Sequence, residues 1–155
     1  MTQNSMNILL FSDSHGAKSY MADAINAHGK STDLIIHLGD HIRDAQFISD
    51  YYPQFRYELI SGNCDGIFAH ALRILELEGK RILITHGHTL GVKSGLEKLY
   101  CCAVENKCDA SFFGHTHQPL HVCKNGIHLV NPGCAPSYAR ISITENGFEV
   151  KMNKY

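Results

Sequence analysis

Five times along this chain a short apolar run breaks off beside a glycine and an aspartate, an asparagine or a histidine. The clearest case is Leu34-Ile35-Ile36-His37-Leu38, which ends in Gly39-Asp40. So short a run with β-branched residues reads as a parallel strand covered on both faces, and Gly39 lets the chain turn sharply at its end. In open α/β sheets ligands gather beyond the carboxyl ends of the strands. Asp40 is therefore a candidate site residue, and the other four endings supply its companions: Asp13 and His15, Asn63, His86, and His115 with His117.

The 155 residues predict one domain, 1–155, large enough to bury about 68–70% of its unfolded surface without a staple. Asn7 to Ser12 reads as a strand, and a helix carrying Tyr20, Met21, Ala24, Ile25 and His28 at helical spacing is expected to stop at Gly29. With the Leu34 run this makes a β-α-β unit. A second helix with Ala45, Ile48 and Tyr52 ends before Pro53, and a third strand spans Phe55 to Ser61. From Ala71 onward the pattern changes. Leu72 to Leu77 and Arg81 to Thr85 are separated only by Glu78-Gly79-Lys80, which predicts an antiparallel hairpin. A helix from about Ser94 to Glu105 and a strand from Ala110 to Phe113 follow. Two Asn-Gly turns, Asn125-Gly126 and Asn146-Gly147, predict an antiparallel meander at the end.

Composition excludes several function classes. A net charge of -1 from 14 basic and 15 acidic residues argues against a broad grip on nucleic acid or anionic membrane. The six cysteines are irregularly spaced and the first residues lack signal-peptide character, so reduced thiols and a cytoplasmic location are expected. No apolar stretch approaches the roughly 20 residues that span a bilayer.

Histidine nitrogens mixed with carboxylates suit divalent transition metals, whereas calcium and magnesium favour oxygen cages. Manganese stands first among the expected ions, with nickel, iron and zinc as the other fits. Two aspartates, one asparagine and four histidines are enough for two metals sharing a ligand. Asp40 is the natural bridge, because a carboxylate can touch two ions about 3.5 to 4 Å apart.

Asp13-x-His15, Gly39-Asp40, Gly62-Asn63-Cys64-Asp65, His86-Gly87 and Gly114-His115-x-His117, in that order, resemble the calcineurin-like metallophosphoesterase motifs. The small size, Cys64 and the Val130-Asn131-Pro132-Gly133 loop resemble the compact YfcE-like phosphodiesterases of that superfamily. The resemblance implies an α/β fold, a four-layer α/β/β/α sandwich of two mixed sheets flanked by helices. It also implies that Asp13, His15, Asp40 and His117 hold one metal, and Asp40, Asn63, His86 and His115 the other. Two dications against two carboxylates and a bridging hydroxide would hold an anionic phosphate for in-line attack. The expected substrate is a small phosphodiester or phosphomonoester, with Asp40, Asn63, Cys64 and His88 as the residues nearest the chemistry. The larger phosphatases have a histidine where this chain has Cys64, and a thiol is the poorer proton donor. That favours diesters with good leaving groups, with His88 as a partial substitute.

Two rival functions share these motifs: a scaffold such as the retromer subunit that resembles these enzymes, and a nuclease or RNA-processing phosphodiesterase. The full ligand set opposes the first and the near-neutral charge the second; the oligomeric state, a homo-oligomer included, stays open. His28, His70, His121 and His128 read as ordinary satisfied histidines, and His37 and His41 beside Asp40 as candidates for a hydrogen bond to a ligand. Gly29-Lys30-Ser31 mimics the end of a phosphate-binding loop, but Ala24 replaces its first glycine and the helix precedes the strand. Cys101-Cys102 reads as packing.

Overall fold

The computed structural model describes residues 5–66 and 69–153; the expectation about a targeting segment falls in part on residues 1–4, outside that range. Among the described residues ten strands form two five-stranded sheets. The first is ordered β10-β9-β1-β2-β3, with β1 (Ser5–Phe11), β2 (Leu34–His37) and β3 (Arg56–Leu59) parallel. Strands β9 (Tyr138–Thr144) and β10 (Gly147–Asn153) extend it antiparallel beyond β1. The second is ordered β4-β5-β6-β8-β7. Its β5 (Lys80–Thr85), β6 (Ala110–Phe112) and β8 (Ile127–Asn131) run parallel, and β4 (Leu72–Leu77) and β7 (Leu120–Lys124) are antiparallel edges.

The period of two along each strand sorts side chains into separate cores. Ile8, Leu10, Leu34, Ile36, Ile82, Ile84, Phe112, Val130, Ile141 and Ile143 fill the space between the sheets. The alternate residues Leu9, Phe11 and Ile35 pack outward against α1 (Lys18–His28) and α2 (Ile42–Tyr51) through Tyr20, Met21, Ala24, Ile25, Ala45 and Ile48. Leu83, Phe113 and Leu129 pack against Leu99 and Ala103 of α3 (Glu97–Glu105) on the far side. This is the expected four-layer α/β/β/α order, with β2 buried throughout.

Helix α1 ends at Gly29 as expected, although Gly29 is right-handed, with φ -57°, and the chain makes one more tight turn over Gly29–Ser31. Two local expectations are corrected. The third helix starts at Glu97 rather than Ser94, because Gly91 and Gly95 hold positive φ and keep that stretch irregular. The two Asn-Gly turns do not make one meander. Asn125-Gly126 joins β7 to β8 in the second sheet and Asn146-Gly147 joins β9 to β10 in the first. The dipeptides fixed the hairpins, but nothing local states which sheet a hairpin joins. Among the described residues no helix is long and apolar enough to cross a membrane.

Candidate metal centre

The carboxyl ends of β1, β2 and β3 in one sheet and of β5 and β6 in the other open at the same end of the sandwich. The loops leaving them carry the predicted residues. Asp13, His15, Asp40 and His117 form one group and Asp40, His86 and His115 another, with the ligand atoms of each within 4.8 Å of one another. Six of the seven predicted ligands thus converge, and Asp40 belongs to both groups. The seventh, Asn63, sits on the exposed rim after β3, its amide 3.6 Å from the Cys64 sulfur. The adjacent Cys64 N–H donates to Asp40 Oδ1 at 3.0 Å, which puts this loop against the shared carboxylate.

Backbone strain marks the same residues. Asp13, His15, Asp40, His115 and His117 all have φ between 48° and 70°, a region that costs non-glycine residues roughly 1–3 kcal/mol each unless their surroundings impose it. What imposes it is close packing of glycine-bearing loops. A Cβ on Gly39 would lie 2.5 Å from the Gly62 nitrogen, one on Gly62 would collide with Asp40, and one on Gly114 would lie 2.8 Å from Asp13 Oδ2. The loops of the two sheets are nested, and the glycines are what allow it.

Hydrogen bonds fix each ligand's direction. Asp13 Oδ2 accepts from Ser12 Oγ at 2.5 Å and from the His115 N–H at 3.1 Å. Its Oδ1 is buried with no hydrogen-bond partner, facing His117 Nε2 at 3.2 Å, His86 Nε2 at 3.8 Å and His15 Nε2 at 4.0 Å. His86 Nδ1 lies 2.9 Å from the Leu38 carbonyl, which can only accept. The proton is therefore on Nδ1, and Nε2 turns a lone pair toward His115 Nδ1 at 3.1 Å and Asp40 Oδ2 at 3.5 Å. An orphaned carboxylate oxygen surrounded by imidazole nitrogens is a donor set without a donor hydrogen to satisfy it, so the residues fit divalent cations.

Burial lowers the pKa of His115, helped by His86 and Lys93. Burial works the other way on Asp40, but the Cys64 N–H, His86 and His15 outweigh it and hold the carboxyl below its ordinary value. Both shifts favour the forms that bind metal, neutral imidazole and ionised carboxylate.

Sequence reasoning missed the residues behind these ligands. Asp65 accepts from the backbone N–H of Asp40 (2.7 Å), Gly62 (2.8 Å) and Ile42 (3.0 Å), tying the β2 and β3 loops together. Asp44 accepts from Ser14 Oγ and the Gly16 N–H, both at 2.7 Å, and so holds the loop between Asp13 and α1. The bonds of His37 go to neighbours of the ligands and to none of the ligands themselves. Gly39 N–H donates to its Nδ1 at 3.1 Å, which leaves Nε2–H for Ser14 Oγ at 2.9 Å. His41 caps α2 and sets its ring edge-on, 4.9 Å from that of His15. His88 lies beside the cluster, its ring 5.5 Å from His86 and 6.1 Å from His115. The one available signal was the Gly62-to-Asp65 spacing, since an aspartate three residues past a turn glycine can close the turn on itself. His28, by contrast, is an ordinary satisfied histidine, 3.0 Å from the Tyr138 hydroxyl.

The calcineurin-like phosphoesterase superfamily domain matches this sequence over residues 6–145. The chain belongs to that superfamily. Its relatives include a probable metallophosphoesterase, YsnB, of Bacillus subtilis, 35% identical over 131 residues that cover 83% of this chain and 74% of that one. A predicted phosphoesterase from Streptococcus pneumoniae superposes with a TM-score of 0.80 at 24% identity, covering 97% of this chain and 90% of its own. Vacuolar protein sorting 29 from Cryptosporidium parvum has the same fold, with a TM-score of 0.77 at 16% identity and 97% and 98% coverage. The chain is thus a metal-dependent phosphoesterase by family, with clustered ligands to match.

Proposed function

We propose that this phosphoesterase works with two divalent ions, manganese foremost, and that its substrates are small phosphodiesters. The observation that carries the reading is the pair of ligand groups sharing Asp40. Asp13, His15, Asp40 and His117 would hold one ion and Asp40, His86, His115 and the rim residue Asn63 the other. Bound ions supply Lewis-acid charge and an acidified water near neutral pH. The chain's own residues do the rest. The Asp65 bonds and the nested glycines keep Asp40 in one place, which is the positioning that hydrolysis requires. A cavity of about 310 Å³ lined by His41, Arg43, Cys64 and Asp65 opens beside it, roomy enough for the alcohol side of a small ester and bordered by one guanidinium. A second cavity, of about 230 Å³ with His28 and Arg140 in its wall, lies at the opposite end of β1 beside Asn7 and takes no part.

Diester preference rests on Cys64. Burial, Asp40 and the contact between the two raise its thiol pKa, so the group stays neutral and donates weakly. Burial, with His86 adding to it, lowers the pKa of His88, which leaves a neutral imidazole and little acid in reserve at neutral pH. Neither is a strong acid for a poor leaving group.

The test is metal analysis of the purified protein together with turnover of a nitrophenyl diester and monoester, each metal restored in turn. Two equivalents of metal and a diester-to-monoester ratio above one are expected. Cys64→His, with both metals still bound, is expected to lower that ratio. A protein that binds metal without hydrolysing either ester would move the reading to a scaffold.

A further inference from the structure

The β7–β8 hairpin carries three metal-ligating side chains that the catalytic cluster does not use. Cys123 and His128 are paired directly across the strands, and His121, two residues before Cys123, shares their face and lies diagonal to His128. Directly opposite Cβ atoms stand about 4.5–5.5 Å apart and diagonal neighbours about 7–8 Å, within reach of long side chains. The imidazoles have already met: His121 Nε2 is 2.9 Å from His128 Nδ1, with the rings inclined by 20°. This is the open edge of the second sheet, so His121 and Cys123 are exposed, while Phe148 of β10 backs His128 at 5.1 Å.

We propose that His121, His128 and Cys123 form a third metal site, for a borderline dication of the zinc and cobalt class, separate from the catalytic centre. Two neutral imidazoles facing nitrogen to nitrogen share one proton and leave one lone pair's worth of binding unused; an ion uses both. Burial lowers both imidazole pKas, with His121 adding to the effect on His128, so both rings are neutral near pH 7. Bonds of about 2.0–2.1 Å at a tetrahedral angle set the two nitrogens about 3.3 Å apart, a few tenths of an ångström wider than the present pair. The groups already drawn tight are the two catalytic ones, so the hairpin set closes on binding, by rotation of an exposed Cys123. On binding, the shared proton moves to the far nitrogen of its own ring and the thiol proton is released to solvent. No oxidation state changes, and water completes the fourth position. A thiolate ligand selects zinc or cobalt over manganese, so the site discriminates where the nitrogen and oxygen ligands of the catalytic centre do so less.

The experiment is a cobalt titration of the full chain preloaded with manganese, read by the thiolate-to-cobalt charge-transfer absorption in the near ultraviolet. The band is expected in the wild type and in Cys64→Ser, and lost in Cys123→Ser. His121→Ala and His128→Ala are each expected to weaken cobalt binding by more than about 10- to 100-fold, the cost of losing even an indirect ligand partner. Ester hydrolysis with manganese should be unchanged in all three hairpin variants. Absence of the band in the wild type, its survival in Cys123→Ser, or wild-type cobalt affinity in either histidine variant would overturn the proposal, and none of these outcomes depends on what ester the enzyme cleaves.

Discussion

The two halves of the metal cluster are built differently. His86 is fully buried and already oriented by the Leu38 carbonyl, and His115 is partly buried against it. On the other side His15 and His117 are 40% and 46% exposed, and the only buried ligand there besides Asp40 is Asp13, with its unpartnered Oδ1. One half is assembled by the fold; the other is half assembled and waits for exposed side chains. Asp40 belongs to both groups. On the proposed two-ion reading it would couple a rigid subsite to an adjustable one, the buried half suited to retaining an ion and the open half to exchanging one.

The largest effect should come from removing that coupling. Asp40→Asn is expected to cost more than the about 100-fold that loss of an outer partner can cost, with metal content falling at both subsites. Retention of a full equivalent would show that the halves are independent. Next is Asp65→Ala, which leaves the Asp40, Gly62 and Ile42 amides without their acceptor. Stability is expected to fall by about 1–3 kcal/mol for the donors left unsatisfied and activity by about 10- to 100-fold, measured by denaturant unfolding and by kcat/KM at saturating metal. If Asp65→Ala lowers stability and leaves activity alone, the bonds serve the loop and not the site. His15→Ala should be milder. It is expected to weaken one equivalent of metal in a titration and leave the His86 and His115 subsite at wild-type affinity; equal loss of both would erase the distinction between the halves.

The smallest effect at neutral pH concerns His37. Burial holds its pKa down to about 4, against an ordinary value of 6.5. Between those values the unfolded chain binds a proton at this position and the folded one does not, so stability falls as pH drops from 6.5 toward 4. His37→Asn should flatten that part of the profile while changing pH 7.5 stability less. A slope that persists unchanged in the variant would assign acid sensitivity to other groups.

Much of this was legible because the strand ends and the ligands are adjacent in the chain. A short apolar run followed by glycine and a ligand encodes burial, a turn and a functional group within a few residues, which is why Asp13, His15, Asp40, His86, His115 and His117 were found together. The same pattern proposed Asn63, whose amide lies 3.6 Å from the Cys64 sulfur. Asp65 and Asp44 were not assigned a task, because what they do depends on backbone amides 20 or more residues away, at Asp40 and Gly16. The same limit explains the final hairpins. A dipeptide specifies a turn, but whether β8 lies beside β6 and β9 beside β1 is decided by long-range burial that no local pattern states.

The pairing of β1 with β9 joins Ser5 to Thr144 and Leu10 to Ala139, and the loop after β9's predecessor adds a bond from the Ala135 N–H to the Asp13 carbonyl. The strand that delivers Asp13 therefore gains its neighbour on that side only once residues 138–144 have been made. While synthesis continues, β1, β2 and β3 present an incomplete sheet with an apolar open edge, the kind of surface that invites pairing with other chains. Contacts this distant in sequence also close slowly. Closure of the sheet beside Asp13 therefore waits on a strand made well after β1, β2 and β3.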